Sequence, residues 1–103
     1  MTREHAVCAL AQIPPGEGRS FDIGGHKVAI FRTRSCEVFA LQANCPHRGG
    51  PLADGLVGGT TVVCPLHERA FDLRTGTGLG HEDSLKSYAV RLSPTNTIVI
   101  AID

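Results

Sequence analysis

Apolar and polar residues along this chain alternate over short runs, and no segment holds a 3.6-residue apolar period for three helical turns. Residues 26–33 are rich in β-favouring types, with Val28 and Ile30 on one face and Ala29 and Phe31 on the other. Gly24-Gly25 just before them predicts a tight hairpin turn to a strand over 19–23. Arg34-Ser35-Cys36 turns the chain again into 37–42, which is apolar on both faces through Val38, Phe39, Ala40 and Leu41. A strand apolar on both faces has to be enclosed from both sides. Residues 60–63, 88–92 and 97–102 repeat the strand pattern, the last two joined by the turn Ser93-Pro94-Thr95-Asn96. With twelve glycines and six prolines punctuating short strands, the expected fold is all-β, a small antiparallel sandwich or barrel.

Length and charge narrow the partners. A chain of 103 residues reads as a single domain over 1–103, able to bury roughly 60 to 70% of its unfolded surface. Ten Lys and Arg balance ten Asp and Glu, so no global field draws the chain to nucleic acid or to an anionic membrane. Apolar stretches such as 97–102 are too short to span a bilayer, and Met1-Thr2-Arg3-Glu4-His5 lacks the apolar core of a signal peptide. The expectation is a soluble, cytoplasmic protein that binds neither nucleic acid nor membrane. No nucleophile with a base, no paired carboxylates and no phosphate loop stand out, so no substrate chemistry of its own is expected. Asp22 with Glu17, and Glu82 with Asp83, read as solvated turn charges.

The candidate chemistry sits in Cys45-Pro46-His47 and Cys64-Pro65-Leu66-His67, with sixteen residues between them. Each segment offers one thiolate and one imidazole to a metal. Structural zinc sites more often pair like with like, two cysteines and then two histidines. One cysteine and one histidine from each loop instead match a [2Fe–2S] cluster in which two histidines replace two cysteines on the same iron. The segments resemble the Rieske motif, Cys-x-His followed by Cys-x-x-His. That resemblance implies a Rieske [2Fe-2S] cofactor held by Cys45 and Cys64 on the inner iron and His47 and His67 on the outer. A structural zinc site is the alternative, and a colourless protein binding zinc without iron or sulfide would support it.

Both motifs fall at strand ends, so two loops are expected to project from one end of the fold with the metal at their tip. Gly49 and Gly50 let backbone N–H groups approach sulfur, and Pro46, Pro51 and Pro65 stiffen the loops before metal binds. Partner contact is then expected at Pro46, Arg48, Gly49, Pro65, Leu66 and Glu68, with Arg48 and Arg69 available to acidic groups. The remaining cysteines read as a buried strand residue, Cys8, and a turn residue, Cys36. His5, His26 and His81 read as ordinary surface or turn residues. His81 lies in Gly78-Leu79-Gly80-His81-Glu82-Asp83, where many Rieske proteins place a proline-containing loop over the cluster. No proline occurs there, which implies a looser or differently shaped cover.

The resemblance runs along essentially the whole chain. It includes Val7-Cys8-Ala9-Leu10, Ile13-Pro14-Pro15-Gly16, Cys45-Pro46-His47-Arg48-Gly49-Gly50-Pro51-Leu52, Cys64-Pro65-Leu66-His67, Phe71-Asp72-Leu73-Arg74-Thr75-Gly76 and the strand at 88–92. Together these are most similar to the small subunit of assimilatory nitrite reductase, and somewhat less to the free Rieske ferredoxins of aromatic-ring dioxygenases. The first relation implies a flavin- and sirohaem-containing large subunit as partner. The second implies a flavoprotein reductase and an oxygenase. A non-redox interaction domain with a structural metal is a third reading, from another class.

Two ferric ions and two sulfides leave two positive charges, which two thiolates cancel; four thiolates would leave two negative charges. An electron enters a neutral centre more easily, which is why histidine ligation raises the potential to roughly −150 to +300 mV. High-potential Rieske proteins add a disulfide between the loops, and serine and tyrosine hydroxyls toward the sulfurs. At those places this chain has Gly50, Leu66, Arg69 and Phe71. Without the donors the reduced cluster is less stabilised. The midpoint should therefore fall in the lower part of the range, and protein-film voltammetry giving a value above about +150 mV would contradict that expectation.

Overall fold

The computed structural model describes residues 3–44, 51–65 and 68–102. Among the described residues the chain forms β1 (Arg3–Ala9), β2 (Glu17–Ile23), β3 (His26–Arg32), β4 (Val38–Gln42), β5 (Leu56–Gly58), β6 (Thr61–Val63), β7 (Ala70–Asp72), β8 (Gly78–Leu79), β9 (Ser87–Leu92) and β10 (Thr97–Ile102). Single turns of 3-10 helix lie at Leu10–Gln12 and Leu52–Asp54. The strands expected from alternation at 19–23, 26–33, 37–42, 60–63, 88–92 and 97–102 all form, with ends shifted by at most two residues. Gly24 and Gly25 make the β2–β3 turn with φ of 56° and 83°, a left-handed backbone open to glycine at little cost.

The strands pair antiparallel in two sheets. Six follow the order β1-β10-β9-β4-β3-β2, and four follow the order β5-β6-β7-β8. The six-stranded sheet curls until its edge strands approach, leaving a groove between His5, Ala6 and Val7 of β1 and Phe21, Asp22 and Ile23 of β2, with Gly24 just beyond. Inside the curl lie Cys8, Ile13, Ile23, Val28, Ile30, Ala40, Ile98, Ile100 and Ile102. A second core fills the space between that sheet and the four-stranded one. It contains Ala29, Phe31, Leu41, Ala43, Leu52, Val62, Cys64, Phe71, Leu73 and Leu85.

Strand β3 belongs to both cores, as its doubly apolar pattern requires: Val28 and Ile30 enter the curl, while Ala29 and Phe31 face the smaller sheet. Phe31 is fully buried, and its ring lies over Gly18, its cross-strand partner. A Cβ at Gly18 would come within 2.6 Å of Phe31 Cδ1, so the absent side chain is what admits the ring. Truncating a phenylalanine packed this way typically costs about 3–5 kcal/mol.

Three strands, β5, β7 and β8, carry no alternation signal, because each has only two or three residues and takes its register from a neighbour. Within β1 the periodicity is broken by a register shift between Ala6 and Cys8; Cys8 lies inward while Arg3 and Glu4 remain exposed. Cys36 occupies a left-handed turn position at φ 66°, its N–H donating to Thr33 O at 3.0 Å. The expected places of both cysteines are thus observed, and each carries a free thiol.

Candidate metal centre

The first candidate loop is rooted where β4 ends. Ala43 donates its N–H to Lys27 O at 3.0 Å and accepts from Leu52 N–H at 3.0 Å, and Asn44 bridges Pro51. The chain therefore leaves at Asn44 and returns beside it at Pro51. Gln42 reinforces this root from two sides. Its Nε2 donates to Asn44 O at 3.0 Å, and its Oε1 accepts from Lys86 N–H at 2.7 Å.

The second candidate loop is closed at its own base. Cys64 N–H donates to Arg69 O at 2.8 Å, and Glu68 N–H donates to Cys64 O at 3.1 Å. Glu68 sits at φ 54°, the left-handed conformation that a closed turn of this size needs. The two roots meet through main chain. After the Leu52–Asp54 turn, Gly55 passes so close to Val63 O that a Cβ would overlap it, and β5 then pairs Leu56 with Val63. The residue before Cys64 is thereby fixed against the segment that returns from the first loop.

Of the four candidate ligands, Cys64 is among the described residues. It is 1% exposed and packs in the core that holds Ala43, Leu52, Phe71 and Leu85. Its thiol is free of any disulfide, and its backbone N–H is already engaged by Arg69. A buried, uncommitted sulfur at the junction of two loops that together bring two cysteines and two histidines fits a thiolate-bound metal centre. Cys45, His47 and His67 lie outside the described residues, as do Pro46, Arg48, Gly49, Gly50 and Leu66. Among the described residues no three His, Cys, Asp or Glu side chains gather into a further metal site. Burial pushes the Cys8 thiol up, away from the reactive thiolate.

Residues 78–84 correct three expectations. His81 is not an ordinary turn residue: its Nε2 lies 2.9 Å from Ala70 O, and its ring meets Phe71 edge to face at 4.9 Å and 82°. Asp83 is not merely a solvated charge, since its carboxylate accepts from Arg69 Nη1 at 3.1 Å. The same ion pair commits Arg69, which sequence alone left free for a partner. The proline-free segment is therefore tied down. Little in the sequence signals this, because the contacts join positions ten or more residues apart. Farther along, Asp72 accepts from Arg74 N–H at 2.8 Å and from its guanidinium, and these hydrogen bonds hold the Asp72 carboxyl below the usual carboxylate range.

Comparison with known proteins gives this geometry a family. The Rieske [2Fe-2S] domain pattern matches residues 3–89. The chain belongs to that family. As a Rieske protein it carries a Rieske-type [2Fe-2S] cluster and an electron-carrier role. In structure it is similar to a protein from Mycobacterium tuberculosis assigned as the small subunit of an NADH-dependent nitrite reductase. The two superimpose with a TM-score of 0.93 over 100% of this chain and 97% of that one, at 27% identity. In sequence it is 34% identical over 96 residues to the biphenyl dioxygenase ferredoxin subunit of Pseudomonas sp. (strain KKS102), covering 90% of this chain and 87% of that protein. It is also 33% identical over 103 residues to human Apoptosis-inducing factor 3. That match covers 95% of this chain, which spans only 16% of the human protein's length.

Because Gly55 lets the two loop roots touch, Gly55→Ala should force Val63 and Cys64 outward. The purified variant is expected to carry less iron and acid-labile sulfide per chain than the parent by direct assay. An unchanged content would contradict this role for the contact.

Proposed function

We propose that Cys45, His47, Cys64 and His67 hold the cluster, thiolates on one iron and imidazoles on the other. Within one Rieske domain over 1–103, the chain serves as the small-subunit-like redox component of an assimilatory nitrite reductase. The observation that carries the partner assignment is the likeness to the nitrite reductase small subunit over nearly the full length of both chains. On this reading the partner is a flavin- and sirohaem-containing large subunit, and the setting is cytoplasmic. Among the described residues no helix is long and apolar enough to cross a membrane.

When bound, the cluster takes up one electron and gives it back. The protein's part is to position it and tune it. Cys64 sits in an apolar pocket that keeps water from the sulfur on that side. The closures Ala43–Leu52 and Cys64–Arg69 hold the loop feet whatever the charge at the tip, which keeps reorganisation small. Phe71 brings no hydroxyl, and the Arg69 guanidinium is engaged by Asp83, which supports a low-potential centre.

The relation to the biphenyl dioxygenase ferredoxin subunit favours a second reading, a free ferredoxin carrying electrons from a flavoprotein reductase to an oxygenase. Reconstitution separates the two. Under the first reading the holoprotein co-elutes with its host's sirohaem reductase and raises NADH-dependent nitrite reduction above that of the large subunit alone. Stimulation of aromatic-ring oxidation without effect on nitrite would select the second. A cluster that cannot be reduced and reoxidised reversibly would instead favour an interaction domain. For the ligand set, His67→Cys should lower the midpoint if the cluster assembles, and an unchanged spectrum and potential would refute His67 as a ligand.

A further inference from the structure

The outgoing leg of the second loop is Arg69, Ala70 and Phe71, starting two positions after His67, and all three are engaged by one neighbouring loop. Residues 78–84 form that loop. Its base is closed by the Thr77–Ser84 bridge and by Leu85 N–H donating to Gly76 O at 2.7 Å. Gly78 crosses beneath it, so close that a Cβ there would stand 2.7 Å from His81 Nδ1 and overlap Asp83 O. Only glycine lets the loop fold down this far.

Folded down, the loop makes three ties. His81 Nε2 lies 2.9 Å from Ala70 O. A carbonyl oxygen only accepts, so Nε2 carries a proton and donates, while Nδ1 is buried without a partner. The His81 ring meets Phe71 edge to face. Asp83 accepts from Arg69, with side chains 36% and 29% exposed, a more sheltered pair than Arg91–Glu4 at 54% each. Arg69 in turn supplies the carbonyl that closes the loop on Cys64 N–H.

We propose that His81 and Asp83 are positioning residues of the metal centre. They act as a strap that fixes the outgoing leg of the second ligand loop and, through Arg69 and Cys64, sets how tightly the cluster is held and at what potential. This rests on Cys64 and His67 being ligands. Releasing the strap frees Arg69 and Ala70 together, so the loop closure at Cys64 loosens.

The test uses the full-length holoprotein with His81→Leu, His81→Gln, Asp83→Asn and Asp83→Glu. It reads iron loss to a chelator, the midpoint potential and the electron paramagnetic resonance of the reduced protein. His81→Leu and Asp83→Asn are each expected to speed iron loss about tenfold, to broaden the g-values and to shift the midpoint. His81→Gln, whose amide nitrogen can donate in place of Nε2, and Asp83→Glu should return these readings toward the parent. Unchanged iron loss and midpoint in both disrupting variants would overturn the strap. So would a midpoint shift in Asp83→Asn with none in His81→Leu, since that is the field of one charge, and so would iron loss that merely tracks urea unfolding in all four. If His81→Leu does not fold, Asp83→Asn with its Asp83→Glu rescue decides the matter. Failure of the ligand assignment looks different: His67→Ala would keep the parent spectrum, whereas failure of the strap alone leaves His67→Ala altered and His81→Leu normal.

Discussion

Burying both faces of β3 requires a layer on each side of it, and the two layers that do so also fix where the metal centre lies. On one side the sheet to which β3 belongs curls around Val28 and Ile30. On the other, Ala29 and Phe31 need a cover, and the small β5–β8 sheet is that cover. The cover is too short to stand by itself, since strands of two or three residues gain little without an apolar face to bury. Its connections consequently hug the larger sheet, and the loop that enters it and the loop between β6 and β7 have their roots in the shared core at Ala43, Leu52 and Cys64. Cys64, the candidate ligand of the second loop, is thus a core residue as well.

Function here follows from restraint more than from reactive groups. Cys64 is buried in the core that holds Leu52, Phe71 and Leu85, and the loops are closed at their feet by main-chain hydrogen bonds. An electron carrier needs its centre to change charge while its surroundings stay still, and a scaffold fixed at the feet of both loops meets that need. Arg69 and Phe71, on the outgoing side of the second loop, are both turned to the loop carrying His81 and Asp83.

What was legible in sequence follows the same physics. Two Cys/His pairs at fixed offsets are readable because ligation demands particular side chains. The long strands are readable because a pleated strand between two layers shows its period, as 26–33 does. Leu52 and Leu73 as core residues, and β5, β7 and β8 as strands, were hidden because their burial depends on neighbours distant in sequence. His81 was misread for a sharper reason. Its bond to Ala70 exists only because Gly78 lets two backbone segments approach, and a glycine in a run of turn residues advertises flexibility, not contact.

The junction at Gly55 and Val63, with the closures at Ala43–Leu52 and Cys64–Arg69, is built from backbone atoms alone. These closures use main-chain atoms, so they do not depend on which side chains the loops carry. The loops are thus exchangeable modules: residues between the feet can drift through mutation without disturbing the frame beneath them. That separation of frame from tip gives a physical basis for one architecture to persist at about one-third identity between this chain and proteins as differently employed as a dioxygenase ferredoxin subunit and a segment of a much longer human protein.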